Sequence, residues 1–174
     1  MPKPIESEAI PLPARHHFDA AVGWMLLGLP ADAALELDRL PQPVCRRAEV
    51  LELRWEVHSA LGQWTEGYRT ATQQVALHPD EVSGWLHRAY AARRMDGGGV
   101  AHASGLLVPA ATRFPTEPLI RFNLACYAAV MGDLDGAWTW FCKALAVGNP
   151  IELRATALAD PDLETLWPRI AVGS

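Results

Sequence analysis

The 174-residue sequence predicts an all-α fold of short antiparallel helical hairpins. Three observations carry that reading. Apolar positions recur at intervals of three and four rather than two. Alanine and leucine dominate while β-branched residues are scattered, so strand signals are almost absent. Breakers then recur along the chain at Gly28-Leu29-Pro30, Pro41-Gln42-Pro43, Gly62, Pro79, Gly97-Gly98-Gly99, Pro115, Gly132 and Gly148 to Pro150. The segments between them run to roughly 10 to 18 residues, the usual length of globular helices.

Taken in order, the first element is an extended, proline-rich arm over residues 1–13, with IPLPAR at 10–15 too short to fold alone. Packing is expected for its second half and disorder for residues 1–6. A first hairpin follows at 14–41, with Pro30 opening its second helix directly after Gly28. Further hairpins are expected at 48–79, 82–115 and 118–148. Thr116-Glu117-Pro118 starts one of these helices. In the tail, Asp160-Pro161 sets an acceptor at the N-cap and a proline at the first helical position, where its missing N–H costs nothing.

Composition removes several function classes. Half the residues are hydrophobic, enough for a sizeable core in one domain. The net charge of −5 repels nucleic-acid phosphates, and Lys3 and Lys143 are the only lysines. No basic run exceeds the pairs Arg46-Arg47 and Arg93-Arg94, so no nucleic-acid partner is expected. No apolar run is long enough to cross a bilayer, which speaks against a membrane role. The opening MPKPIESEAIPLPARHH has four prolines and two glutamates but no apolar core, unlike a secretory signal. A cytoplasmic location is the expectation. Cys45, Cys126 and Cys142 form no CxxC or Cys/His cluster, and reduced thiols are the simplest reading.

Aligning the turn glycines exposes an internal repeat. Gly132 is followed at offsets of five, nine and twelve residues by Ala137, Phe141 and Ala144, and is preceded by Leu124-Ala125. Gly28 has Ala33, Leu37 and Leu40 at the same offsets, and Gly62 has Gly67, Ala71 and Gln74. In the third unit, Trp85 and Ala89 precede a turn that the triple glycine lengthens by two residues. Ala103, Leu107, Ala110 and Pro115 then restore the pattern. Small residues suit the close crossing within a hairpin, and large ones fill the gap to the next.

These residues resemble the tetratricopeptide repeat (TPR) family, with PLIRFNLACYAAVMGDLDGAWTWFCKALAVG at 118–148 the best match. The resemblance implies a right-handed α-solenoid of four TPR-like hairpins over 14–149, closed by a C-terminal cap at 150–174. Leu158, Leu163, Leu166, Trp167 and Ile170 would supply the cap's apolar side. Arg54, Arg88, His58 and Gln74 depart from the family pattern, standing where it has apolar or small residues.

Candidate chemical sites are weak by comparison. Neither Cys126 nor Cys142 has a histidine within reach on its hairpin to activate it, so both read as small apolar residues. His16, His17, His58, His78, His87 and His102 are spread over three hairpins without metal-ligand spacing and read as surface or interface residues. The triple glycine lacks the ending of a phosphate loop, and DPDLE at 160–164 lacks calcium-loop spacing. No catalytic residue, metal or cofactor is expected.

What remains is a surface. The resemblance implies a concave groove lined by the first helix of each hairpin, which places Glu49, Glu52, Glu56, Tyr90, Arg93, Arg94, Phe122 and Cys126 there. Helical periodicity independently puts the three glutamates on one face and groups Tyr90 with Arg93 and Arg94. Asn123 stands where peptide-clamping members use an asparagine, although the lysine and arginine positions of carboxylate-clamp members are not reproduced. Two alternatives stay open: the charges pair across adjacent helices, or they read an extended peptide.

The expected function is therefore a protein–protein interaction module that binds a peptide or protein partner in the groove, as monomer or homodimer. An adaptor or chaperone that shields a client, dimerising through its apolar first repeat, is the alternative. An enzyme built on Glu49, Glu52 and Glu56 lacks a convergent base, nucleophile or metal ligand. A structural role, with the groove filled by the chain's own arm, is the third reading.

Overall fold

The computed structural model describes residues 9–172, so the expectation for residues 1–6 lies outside the described residues. Eleven α-helices and no strand occur among the described residues. They pair as consecutive hairpins: α1 (Leu12–Leu26) with α2 (Pro30–Leu37), α4 (Ala48–Ala60) with α5 (Trp64–Leu77), α6 (Val82–Arg94) with α7 (Val100–Arg113), and α8 (Pro118–Val130) with α9 (Leu134–Leu145). A single turn, α3 (Gln42–Cys45), links the first two hairpins. Helix α10 (Pro150–Ala159), a 3-10 segment (Pro161–Leu166) and α11 (Trp167–Val172) close the array.

Helix α1 starts within the stretch read from sequence as an extended arm. Pro11 and Pro13 flank its first residue, and proline is tolerated in a first turn because those N–H groups have no intrahelical partner. Ile10, just before it, is buried in the first core.

Three hairpins share one turn. Gly28, Gly62 and Gly132 each adopt a positive φ of 72°, 67° and 84°. Each glycine N–H bonds to the carbonyl three residues back, and the next N–H reaches five back, as in Asp133 to Ala128 at 3.0 Å. This is the glycine-terminated Schellman arrangement, which satisfies the last carbonyls and reverses the chain. The third hairpin spends two more residues on its turn. There a Cβ on Gly98 would lie 1.9 Å from the Ala92 carbonyl oxygen, so only glycine fits.

The small-and-large pattern packs as its spacing implies. Ala33, Ala137, Phe141, Ala144, Ala103, Leu107 and Ala110 are all fully buried. Buried apolar residues form two clusters. One joins the first hairpin to α4 through Leu37, Val50, Leu53 and Val57. The other runs from α6 through the last hairpins to Leu163, Leu166 and Ile170.

Between these clusters lies a polar seam, made by residues the sequence marked as departures. Gln74 is fully buried, and its Nε2 donates to Glu52 at 2.8 Å and to Ser83 at 3.0 Å. Its Oε1 has no partner, and the missing Cβ of Gly84 makes room for its methylenes. Arg54 reaches back to Asp38 and the Leu37 carbonyl, both at 2.8 Å. His58 bonds Gln63 at 2.9 Å, and Arg88 lies over the Trp85 ring.

The closing segment is three short pieces. Asp160 caps the 3-10 turn by accepting from Asp162 N–H at 3.0 Å, as its sequence implies. At the start of α8, Glu117 accepts from Leu119 N–H at 3.0 Å. Leu158 does not face the core, being 40% exposed, and Leu153 and Ala157 take that place on α10. Trp167 anchors the piece by donating to the Ala157 carbonyl at 2.9 Å.

Candidate functional site

The first helices of the hairpins, α1, α4, α6 and α8, form the inner layer, and the side chains singled out from sequence divide along it. On α4, Glu49 is held at its own helix start by Arg47 at 2.6 Å. Glu52 points into the seam, bonded to Gln74 and lying 3.5 Å from His87 Nε2. Glu56, one turn on, is exposed and has no ion-pair or hydrogen-bond partner among the described residues. Partial burial and then the nearby Glu52 charge raise its carboxyl above the usual range.

Beside these carboxylates stands an aromatic group. Trp55 of α4 stacks on His87 of α6 with ring centroids 3.7 Å apart and planes 4° from parallel. Tyr90 meets Trp55 edge-on at 5.9 Å and also contacts Trp64. The Arg94 guanidinium lies 3.4 Å from the Tyr90 ring centroid, a cation–π contact on an exposed face. His87 is thus no surface histidine. Its burial pushes its pKa down, opposed by the Glu52 charge.

At the other end of the inner layer the C-terminal segment sits on the helix face. Both nitrogens of the Arg93 guanidinium fork bond the two oxygens of Asp162, the Nη2 contact at 2.8 Å. Phe122 and Cys126 are buried, at 6% and 3% exposure, in the cluster that contains Leu163 and Leu166. The expectation that Phe122 lines an open surface is therefore corrected, and Cys126 reaches the surface only in a small concavity beside the cap. A solenoid end must cover its last apolar face, and this chain covers it with residues 160–166. Asn123 stays at the edge, its Nδ2 bonded to the Leu119 carbonyl at 2.8 Å. It lines a small concavity of about 250 Å³ with Tyr90, Arg93, Arg94, Cys126 and Pro161.

Cys126 Sγ, Asp160 and Asp162 lie within 4.8 Å of one another. Asp162 is engaged by Arg93, and the Cys126 thiol donates to Asp160 at 3.5 Å. Burial, reinforced by Asp160, drives that thiol's pKa well above its ordinary value, so it is protonated and a poor nucleophile. Tyr127 beside it is pushed up to about 12 by burial.

Of the alternatives left open, a contact across adjacent helices occurs for Glu52 of α4, 3.5 Å from His87 of α6. Arg93 pairs with the cap, Glu49 with Arg47, and Arg94 with an aromatic ring. What sequence reasoning missed is the Trp55–His87 stack and the Asp162 contact. Trp55 and His87 lie on separate helices with no shared periodicity, whereas Asp162 carried only a capping signal.

An inner layer of first helices, repeated glycine turns and a closing segment define the class: the fold is the helical solenoid of tetratricopeptide-repeat proteins. Among solved structures, the chain is similar to TTC0263, a thermophilic TPR protein in Thermus thermophilus, with a TM-score of 0.65 and 18% identity over 91% of this chain and 99% of that one. MamA AMB-1 matches with a TM-score of 0.63 and 16% identity over 92% of this chain and 84% of that one. MamA MSR-1 matches with a TM-score of 0.62 and 19% identity over 92% and 94%. No family model and no curated protein matches the sequence. No described helix is long and apolar enough to cross a membrane.

Proposed function

We propose that the chain is a non-catalytic interaction module that binds an extended segment of a partner protein along the open part of its inner layer, across α1, α4 and α6. The observation that carries this reading is Glu56: an exposed carboxylate without a partner among the described residues, its pKa raised by partial burial and the Glu52 charge, on the helix whose Trp55 ring meets Tyr90. A basic side chain of the partner would neutralise Glu52 and Glu56 and lie against the aromatic rings. Tyr90, Arg94 and Asn123 would border the segment toward the cap, and Glu49 the far side of the carboxylate band. Arg93, Phe122 and Cys126 serve the cap in this reading and not the ligand.

Selection from a random peptide library tests it. The wild-type chain should enrich peptides with lysine or arginine beside an apolar residue. A Glu52→Gln, Glu56→Gln double variant should lose them while keeping its helical circular dichroism. Identical enrichment by both proteins, or none by the wild type, would sink the proposal.

A further inference from the structure

The first hairpin leaves a face that the rest of the chain does not use. Helix α1 turns Ala14, Phe18, Ala21 and Met25 toward the core. A stripe on its flank, at steps of three and four, reads Leu12, Arg15, Asp19, Val22 and Leu26. Leu12 is 76% and Leu26 84% exposed, and nearby Leu27 and Leu35 are 70% and 59% exposed. Gly23, in the helix interior beside this stripe, is a second unexplained feature. A Cβ there would meet nothing within 4 Å, so no packing inside the chain requires a residue that costs helix stability relative to alanine.

The polar centre of the stripe says what could cover it. Arg15 Nε bonds both oxygens of Asp19, at 2.8 and 2.9 Å, with both side chains half exposed. A helix carrying one cation and one anion a turn apart is its own electrostatic complement when a second copy lies antiparallel. Setting Arg15 of one copy level with Asp19 of the other fixes the register. That register brings Leu12 level with Val22 of the other copy and beside Leu26, one turn further. Each apolar end then meets an apolar end, and four charges alternate in sign at the centre.

We infer that this face is a two-fold, self-complementary docking surface for a second copy of this chain, with α1 packed antiparallel on α1. An isologous contact of this kind uses the same patch twice and closes after two subunits. It takes up the exposed side of α1, the first helix of the proposed ligand track, and leaves the α4–α6 part of that track accessible in both copies. The inference does not depend on the peptide-binding reading.

Sedimentation of the full chain over micromolar concentrations tests it. The expected result is a concentration-dependent monomer–dimer equilibrium. Asp19→Arg alone gives the stripe two cations, and Arg15→Asp alone gives it two anions. Each should weaken self-association by about 100-fold, because like charges face each other across the axis. Mixing the two variants should restore a one-to-one dimer, which also shows that both are folded. The inference is overturned if the wild type stays monomeric or forms species larger than dimers. It is equally overturned if its dimers ignore the charge variants, or if the mixture fails to associate.

Discussion

Arg93 on α6 and Asp162 in the 3-10 segment, 69 residues apart in sequence, hold each other through a two-pronged ion pair beside Cys126 and Tyr127. The pair fastens the closing segment to the third hairpin as well as the fourth. Paired guanidinium and carboxylate groups of this fork geometry are stronger than single surface contacts.

Replacing Asp162 with asparagine keeps the shape and removes the charge. We expect a loss of about 1 kcal/mol, since both side chains are partly solvated. Hydrogen exchange should accelerate first over 150–172. A pH scan of the wild type carries the same sign. Arg93 holds the Asp162 carboxyl below its ordinary range, so its contribution is complete above the unfolded carboxylate pKa and fades as pH falls through the lower folded value. Urea midpoints at neutral and strongly acidic pH would check this.

Leu163 is fully buried against the face of α8. Leu163→Ala should cost about 2–5 kcal/mol through the cavity it leaves. Its more specific signature is chemical. Cys126, protected and held protonated in the wild type, should become reactive toward a disulfide reagent, while exposed Cys142 reacts at an unchanged rate. Unaltered Cys126 labelling in this variant would contradict the lid role.

His87 makes the polar seam sensitive to mild acid. Burial lowers its folded pKa, so below the unfolded value of about 6.5 the unfolded chain takes up a proton that the folded chain refuses. Stability should therefore fall as pH drops from about 7 toward the folded pKa. In His87→Gln that segment of the stability curve should flatten. Equal slopes in the two proteins would remove His87 as the cause.

Gly132 occupies a left-handed turn with open space around a built Cβ. Gly132→Ala should thus cost about 1–2 kcal/mol from backbone strain alone. A thermal melt should show the loss without any change in helical content.

The repeating crossings, the Asp160 cap and the apolar Leu163, Leu166 and Ile170 were legible from residue order, and the polar contacts that occur once were not. Ala137, Phe141 and Ala144 recur in type at fixed offsets from a glycine because every hairpin solves the same crossing problem. The cap solves a different problem, sealing an end, and its answer depends on Asp162 meeting a residue 69 positions away. Periodicity carries no information on such a contact. Gln74 stood out only as a misfit, and His87 only as one of six dispersed histidines. Their meaning came from each other: Gln74 fits because Gly84 lacks a Cβ, and His87 fits because Trp55 lies flat against it. Helical periodicity grouped side chains on α4 and α6, whereas nothing in residue order showed that the chain itself roofs the face holding Phe122 and Cys126.

That roof also acts as a ruler. With residues 160–166 resting on α8, an extended ligand on the proposed surface can cross only α1, α4 and α6. Two steps between neighbouring helices at about 9 Å each give a track of about 18 Å, room for about six residues of extended chain. A partner would be recognised by a short linear stretch, and anything longer would have to leave the surface at Pro161.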